Sequence, residues 1–301
     1  MQIDLVSKIQ ELRKKRNAVI LAHNYQIGEV QDIADFKGDS LGLSIEASKT
    51  KAEVIVFCGV HFMAETVAIV NPDKTVLMPD VTAGCPMADM ITAEQLKEMK
   101  KKHPKAVVVA YVNTTAEVKA ESDICCTSAN AGKVIESLDE DEIIFIPDKY
   151  LGQYHARASK KKFHFWEGYC PVHVKILPEH IKKLKVEHPE AKVMVHPECL
   201  PDVIDLADAV RSTSGMVKYA KETDAKEFIV GTEVGLVYRL KKENPGKIFY
   251  PATELAICPN MKKINLEKIL WSLEDMKEKI IVPEEIRIRA KQAIDKMLKV
   301  V

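Results

Sequence analysis

No apolar run in the 301 residues approaches the ~18 that a helix needs to cross a bilayer. The first residues, MQIDLVSKIQELRKKR, carry no apolar core ahead of their charges, so they read as an amphipathic helix and not as a signal peptide. The expectation is a cytoplasmic protein with no membrane partner. Charge of neither sign is in excess, with 44 basic against 44 acidic residues. No segment is basic throughout, which leaves nucleic acid without an obvious footprint. The Lys-rich runs at 97–105 and 181–185 read as solvated helix faces. The pattern Cys-x-x-Cys is missing everywhere, which excludes a zinc ribbon and the local cluster motifs. Seven cysteines cannot all pair, and a reducing compartment disfavours structural disulfides. Metal binding, catalysis or plain burial remain as their uses. Few Asn and Gln beside abundant Lys and Glu would suit a thermophile.

What is present is a threefold repeat. Three apolar strands end in polar clusters: AVILAHNY (18–25), AVVVAYVN (106–113) and KVMVHPE (192–198). Each follows an amphipathic helical stretch. The second and third of these stretches stop at His-Pro, 103–104 and 188–189, as expected where a helix must end. Thr92 and Gln95 form a capping-box pattern, and Pro178 suits a first helical turn. From His23 to Ser40, Tyr111 to Ser128 and His196 to Thr213 the distance is 17 residues each time. Two further apolar strands follow in each copy: EVIVF and TVLMP, EIIFI and KFHFW, EFIVG and KIFYP. Each copy then reaches a Cys-Pro pair at Cys85, Cys170 and Cys258, 62, 59 and 62 residues from its first landmark. A period of about 86 residues is too long for a solenoid and long enough for a small domain.

Strands alternating with helices imply parallel sheets covered on both faces. The expected fold is α/β: three homologous three-layer αβα sandwich domains around a pseudo-threefold axis. The units should span 1–86, 87–172 and 173–258, with the tail 259–301 packing back to complete the first.

Ligands of parallel α/β sheets gather beyond the carboxyl ends of the strands, where His23, Tyr111 and His196 stand. Ser40, Ser128 and Thr213 precede helical stretches, and three helix starts facing one cavity would make an anion site. Taken singly they would be mere N-caps; their equivalence in the repeats outweighs that. Tyr25, Asn113 and Glu198 lie two residues past the landmarks, so alternation can aim them alike. Glu198 is the one carboxylate of the three and a candidate general base, with a helix-start cap as its bland alternative. Asp35, Asp39, Glu65 and Glu233 look structural or superficial. Three equivalent cysteines around an axis converge, and three thiolates fit either a [4Fe–4S] cluster with one open iron or zinc with one open position. Cys58, Cys125, Cys126 and Cys199 have no threefold counterparts and read as packing.

The motifs AHNYQ, GDSLGLS, GCPMADM, AYVNTTAEVKAESD, CTSANA, PDKYLG, GYCP, HPEC, STSGM, TEVGL and CPNMK run in order along nearly the whole chain. In these the sequence resembles the quinolinate synthase A family of de novo NAD biosynthesis. The resemblance implies a central [4Fe–4S] cluster, one per chain, held by Cys85, Cys170 and Cys258. It implies condensation of iminoaspartate with dihydroxyacetone phosphate to quinolinate, with loss of phosphate and two waters, the open iron serving as Lewis acid. It carries substrate contacts onto His23, Ser40, Tyr111, Val112, Asn113, Ser128, His196, Pro197, Glu198 and Thr213. It carries proton transfer onto Glu198, assisted by His23, Tyr25, Tyr111 and His196. The enzyme that makes iminoaspartate is a further partner on this reading. In one respect the chain departs from some bacterial members, which have Cys-x-x-Cys-x-x-Cys at the last ligand. Here the run is Cys258, Met261, Ile264, so no disulfide can form there.

Three rival readings stay open on the sequence. One is a hydroxymethylbutenyl diphosphate reductase, which needs an electron partner. Another is a radical enzyme of diphthamide synthesis. The third is a non-catalytic anion-binding protein whose cysteines only pack.

Overall fold

Three stretches rich in Val, Ile and Ala form the centres of three parallel sheets in the computed structural model, which describes residues 2–300. In the first unit helix α1 (Gln2–Lys15) leads to β1 (Ala18–His23), α2 (Gly28–Ile33), β2 (Phe36–Gly38), α3 (Ser40–Lys49), β3 (Val54–Cys58), α4 (His61–Val70) and β4 (Thr75–Leu77). The second runs α5 (Ala93–Lys102), β5 (Val107–Tyr111), α6 (Ala116–Ala120), β6 (Ile124–Cys126), α7 (Ala131–Glu136), β7 (Glu142–Ile146), α8 (Lys149–Ala156) and β8 (Lys162–Phe165). The third runs α9 (Pro178–Glu187), β9 (Lys192–Val195), α10 (Pro201–Ile204), β10 (Ala209–Val210), α11 (Thr213–Glu222), β11 (Glu227–Gly231), α12 (Gly235–Glu243) and β12 (Ile248–Pro251). Helices α13 (Leu266–Asp275) and α14 (Glu284–Leu298) follow.

The strand orders are β2-β1-β3-β4, β6-β5-β7-β8 and β10-β9-β11-β12, the same topology three times. The central strands are buried on both faces by helices, which is why they read as unbroken apolar runs and not as alternating ones. The sequence pattern shows three strands per unit; the structure has four. The additional ones, β2, β6 and β10, are two or three residues long, too short to carry a period.

An aspartate holds each of these short strands in register. Asp35, Asp123 and Asp208 accept the backbone N–H of Ile20, Val108 and Val193, each at 2.8 Å and each fifteen residues back. Their own amides return a bond to the same three residues. Asp35, read from the sequence as structural or superficial, is thus structural.

The local signals act as expected. Thr92 and Gln95 form a reciprocal capping box at α5, Pro178 occupies the first turn of α9, and His103 and His188 end α5 and α9. The apolar cores of the first two units are continuous. Ala290, Ala293, Ile294 and Met297 of α14 are buried in that shared core, with α14 lying against α6, β6 and α4. Helix α13 lies against α1.

Candidate functional site

The carboxyl ends of the central strands open onto one cavity of about 210 Å³, lined by residues of all three units. His23, Tyr25, Ser40, Tyr111, Asn113, Ser128, His196, Glu198 and Thr213 all line it, as do Cys85, Cys170 and Cys258. Val112 and Pro197 do not. Both are buried beside the lining, and the amide of Val112 is spent on Cys126 O in the sheet.

The three hydroxyls are not caps. Asp39 and Ser212, one residue earlier, cap α3 and α11 by accepting from Gly42 N and Gly215 N. Thr127, also one residue earlier, accepts from Ala129 N, and α7 begins only at Ala131. Ser40, Ser128 and Thr213 are thereby released toward the cavity. Thr213 Oγ1 accepts from Asn24 Nδ2 at 2.8 Å, and Asn24 is fixed in turn by Arg239 at 2.6 Å.

The histidines are neutral donors. Burial lowers His23 to about 4 and His196 to about 3. Each Nδ1 accepts the amide two residues on, Tyr25 N at 3.2 Å and Glu198 N at 3.4 Å. The proton of each neutral ring therefore sits on Nε2. His196 directs it to Ser128 Oγ at 3.1 Å. Ser128 and Thr213 both accept from protein donors, so their remaining hydroxyl hydrogens are free for an anion.

Glu198 sits at the centre. Burial works against its charge, but His173 and His196 beside it, with Tyr111, hold its carboxyl down to about 2. Tyr111 donates to Oε1 at 2.6 Å, and His173 Nδ1 lies 2.7 Å from Oε2. Tyr111 and Tyr25 are pushed well up by burial and by the Glu198 charge, so both stay phenols. His173 Nε2 reaches Thr232 Oγ1 at 2.9 Å, which is 2.6 Å from the Tyr25 hydroxyl. The sequence pattern does not find His173. Across the repeats it stands where the other units have Ala88 and Met261, so equivalence is silent about it.

Each cavity cysteine precedes a short 3₁₀ turn: Ala88–Met90, His173–Lys175 and Met261–Lys263. In each turn the second and third amides beyond the cysteine point at its sulfur. These come from Met87 and Ala88, from Val172 and His173, and from Asn260 and Met261. Burial pushes Cys85 up to about 12, Cys170 well up and Cys258 up. Paired N–H groups oppose that by favouring thiolate, the form a metal binds. All seven cysteines are free thiols. Cys58, Cys125, Cys126 and Cys199 are fully buried and absent from the lining. The ligand atoms of Cys170, His173 and Glu198 lie within 4.8 Å of one another, a set that could also hold a metal.

Two carboxylates read from the sequence as structural or superficial belong to this site: Asp39 and Glu233 line the cavity. Glu233, with no exposed surface, accepts Cys258 N at 3.0 Å and pairs with Lys262 at 2.8 Å. Glu65, on α4, lies outside, its buried carboxylate reaching the start of α6, where it accepts Ala116 N.

The family profile described as quinolinate synthetase A protein matches residues 7–299. The chain belongs to the quinolinate synthase family. It is 59% identical over 302 residues to a protein of Dehalococcoides mccartyi (strain CBDB1) named quinolinate synthase, with the whole of both chains covered. It is 58% identical over 299 residues to quinolinate synthase 1 of Methanosarcina acetivorans, covering 99% of this chain and 98% of that one. A quinolinate synthase of Geobacter sp. (strain M21) is 58% identical over 297 residues, with the same coverage. The quinolinate synthase family is one of enzymes of NAD biosynthesis, and membership implies a metal cofactor. No described helix is long and apolar enough to cross a membrane.

Proposed function

We propose that the chain is a quinolinate synthase acting in the cytoplasm, condensing iminoaspartate with dihydroxyacetone phosphate. The atoms balance as quinolinate, phosphate and two waters, without net electron transfer, so no electron donor is required. The observation that carries this reading is the single cavity in which anion donors, an ionised carboxylate and three amide-cradled cysteines meet.

Cys85, Cys170 and Cys258 would hold the cluster. Three thiolates aided by N–H donors are a donor set that suits a [4Fe–4S] group. When bound, that group supplies a Lewis-acidic iron that eases loss of water. The remaining work falls to side chains. The Ser128 and Thr213 hydroxyls, joined by Ser40, Asn113 and the His23 Nε2–H, would grip the carboxylates of iminoaspartate. Glu198, ionised and touching Tyr111, would accept a proton from the condensing carbon. Tyr25 and Tyr111, kept protonated, would supply hydrogen bonds to developing oxyanions.

The test is an anaerobic assay of purified protein with iminoaspartate and dihydroxyacetone phosphate, alongside iron, sulfide and zinc analysis. Quinolinate formation with about four irons and four sulfides per chain supports the reading. Zinc without sulfide would instead favour a mononuclear site at Cys170, His173 and Glu198, and would overturn the cluster assignment.

A further inference from the structure

Arg239, on α12 of the third unit, reaches across to the first. Its Nη1 donates to Asn24 Oδ1 at 2.6 Å and to Lys37 O at 3.0 Å, while its Nε is held by Glu243 at 2.7 Å. Asn24 directly follows β1 and is fully buried. Its backbone is fixed as well: the amide donates to Gly38 O at 3.0 Å, and the carbonyl accepts Gln31 Nε2 at 3.2 Å. Its side-chain nitrogen donates to Thr213 Oγ1 at 2.8 Å. Of the three side chains Arg239, Asn24 and Thr213, only the last lines the cavity.

These contacts leave one orientation for the Asn24 amide. A guanidinium has no acceptor, so the atom of Asn24 that faces Arg239 must be the oxygen. The NH₂ group then faces Thr213, and an NH₂ only donates. Thr213 Oγ1 therefore accepts. Its own hydrogen finds no acceptor among the described residues and is left to the cavity. Asn24 stands where the other units have Val112 and Pro197, neither of which carries a hydrogen-bonding side chain.

We infer that Arg239 and Asn24 are positioning residues for carboxylate recognition: the guanidinium fixes the Asn24 amide, and the amide turns the Thr213 hydroxyl hydrogen into the cavity. Thr213 is then a donor before any ligand arrives, with no reorientation to make on binding. The acceptor it suits is an ionised carboxylate of a small dicarboxylic acid. Arg239, outside the cavity, acts on that ligand only through two other side chains. The arrangement spans two units, so the grip of a hydroxyl in the third depends on its seating against the first. The inference rests on the reading of the cavity proposed above.

Asn24→Asp separates orientation from packing. It keeps the size and gives Arg239 a carboxylate partner, but its second oxygen only accepts, so the Thr213 hydrogen is drawn away from the cavity. Binding of succinate, a dicarboxylate of the same chain length as iminoaspartate, is measured by anaerobic calorimetry on the holoenzyme, with and without Thr213→Val. Asn24→Asp should weaken succinate about 10- to 100-fold, the weight of one hydrogen bond to a charged group, without lowering the melting temperature. Arg239→Met, which frees the amide to turn, should weaken it about two- to tenfold. In the Thr213→Val background neither change should weaken it by more than about twofold further, because the hydrogen they redirect is gone. Unchanged affinity in Asn24→Asp or Arg239→Met would overturn the inference. So would losses as large in the Thr213→Val background, or a melting temperature that falls with the affinity, since either would assign the effect to charge or packing. Failure of the unsubstituted holoenzyme to bind succinate would bring down the anion reading of the cavity and the inference with it, and that control tells the two results apart.

Discussion

At the scale of residues, Glu198 is charged where burial alone would neutralise it, and it lies against the neutral ring of His196 and the phenol of Tyr111. Glu198→Gln keeps the size and removes the charge. It should cut turnover by about 10² to 10⁴ while iron content and melting temperature change little; near-normal turnover would leave Glu198 as scaffolding. The histidines give a second expectation. His23, His196 and His155 are held neutral at about 4, 3 and 4 by burial, against 6.5 in an unfolded chain. The unfolded chain therefore binds more protons than the folded one below about pH 6.5, and stability rises with pH across that window. Denaturant midpoints at constant cluster loading should be lower at pH 5.5 than at pH 7.5; equal or reversed midpoints would contradict the burial of these rings. Residues that repeat were legible in the sequence: the three landmarks, three hydroxyls and three cysteines all line the cavity. His173 is not legible as functional, because it occurs in one unit only and equivalence cannot reveal an asymmetry; Glu233 shares its place with Asp148 but with Val60 in the first unit, so the repeat does not mark it either.

At the scale of elements, each cysteine is the hinge of a turn whose amides face its sulfur. Replacing Cys85, Cys170 or Cys258 by Ala leaves two ligands and one idle pair of N–H groups. Each such variant should fold, since the sheets are packed between apolar cores built from other residues, but should lose most iron and the brown absorption of the cluster. Cys58, Cys125, Cys126 and Cys199, changed singly to Ala or Ser, should keep near four irons per chain. An iron-free variant of the second group beside an iron-loaded one of the first would refute the assignment. Long elements were readable from pattern alone: the central strands from their Val and Ile runs, α5 from its capping box. The short strands were not, because a strand of two or three residues is stabilised by a neighbour and not by its own composition. The aspartates at 35, 123 and 208 provide that neighbour's grip. Their equal spacing from β1, β5 and β9 is present in the sequence, but an aspartate alone, without the strand it holds, is indistinguishable there from a surface residue.

At the scale of the whole molecule, the last helix couples fold to site. Asn130 donates to Met297 O and Val300 O at the end of α14, and its Oδ1 accepts Thr127 N beside Ser128. Ile294 has no exposed surface and belongs to the core shared by two units. Ile294→Ala should cost about 2 to 5 kcal/mol, read from denaturant unfolding, and should also raise KM for iminoaspartate. A loss under about 0.5 kcal/mol would show that α14 is peripheral.

The strands that carry His23, Tyr111 and His196 are three copies of one ancestral piece of chain, yet their ends now differ. A site on one domain is bound by a single history: any change at its rim alters the only rim it has. Here the same structural position exists three times, so one copy can be rewritten while two keep the pocket open. A tyrosine between two histidines, and Glu198 where the other units have Tyr25 and Asn113, are the marks of such unequal editing. Gene duplication in this chain supplied more than symmetry; it supplied three separate drafts of a single binding surface.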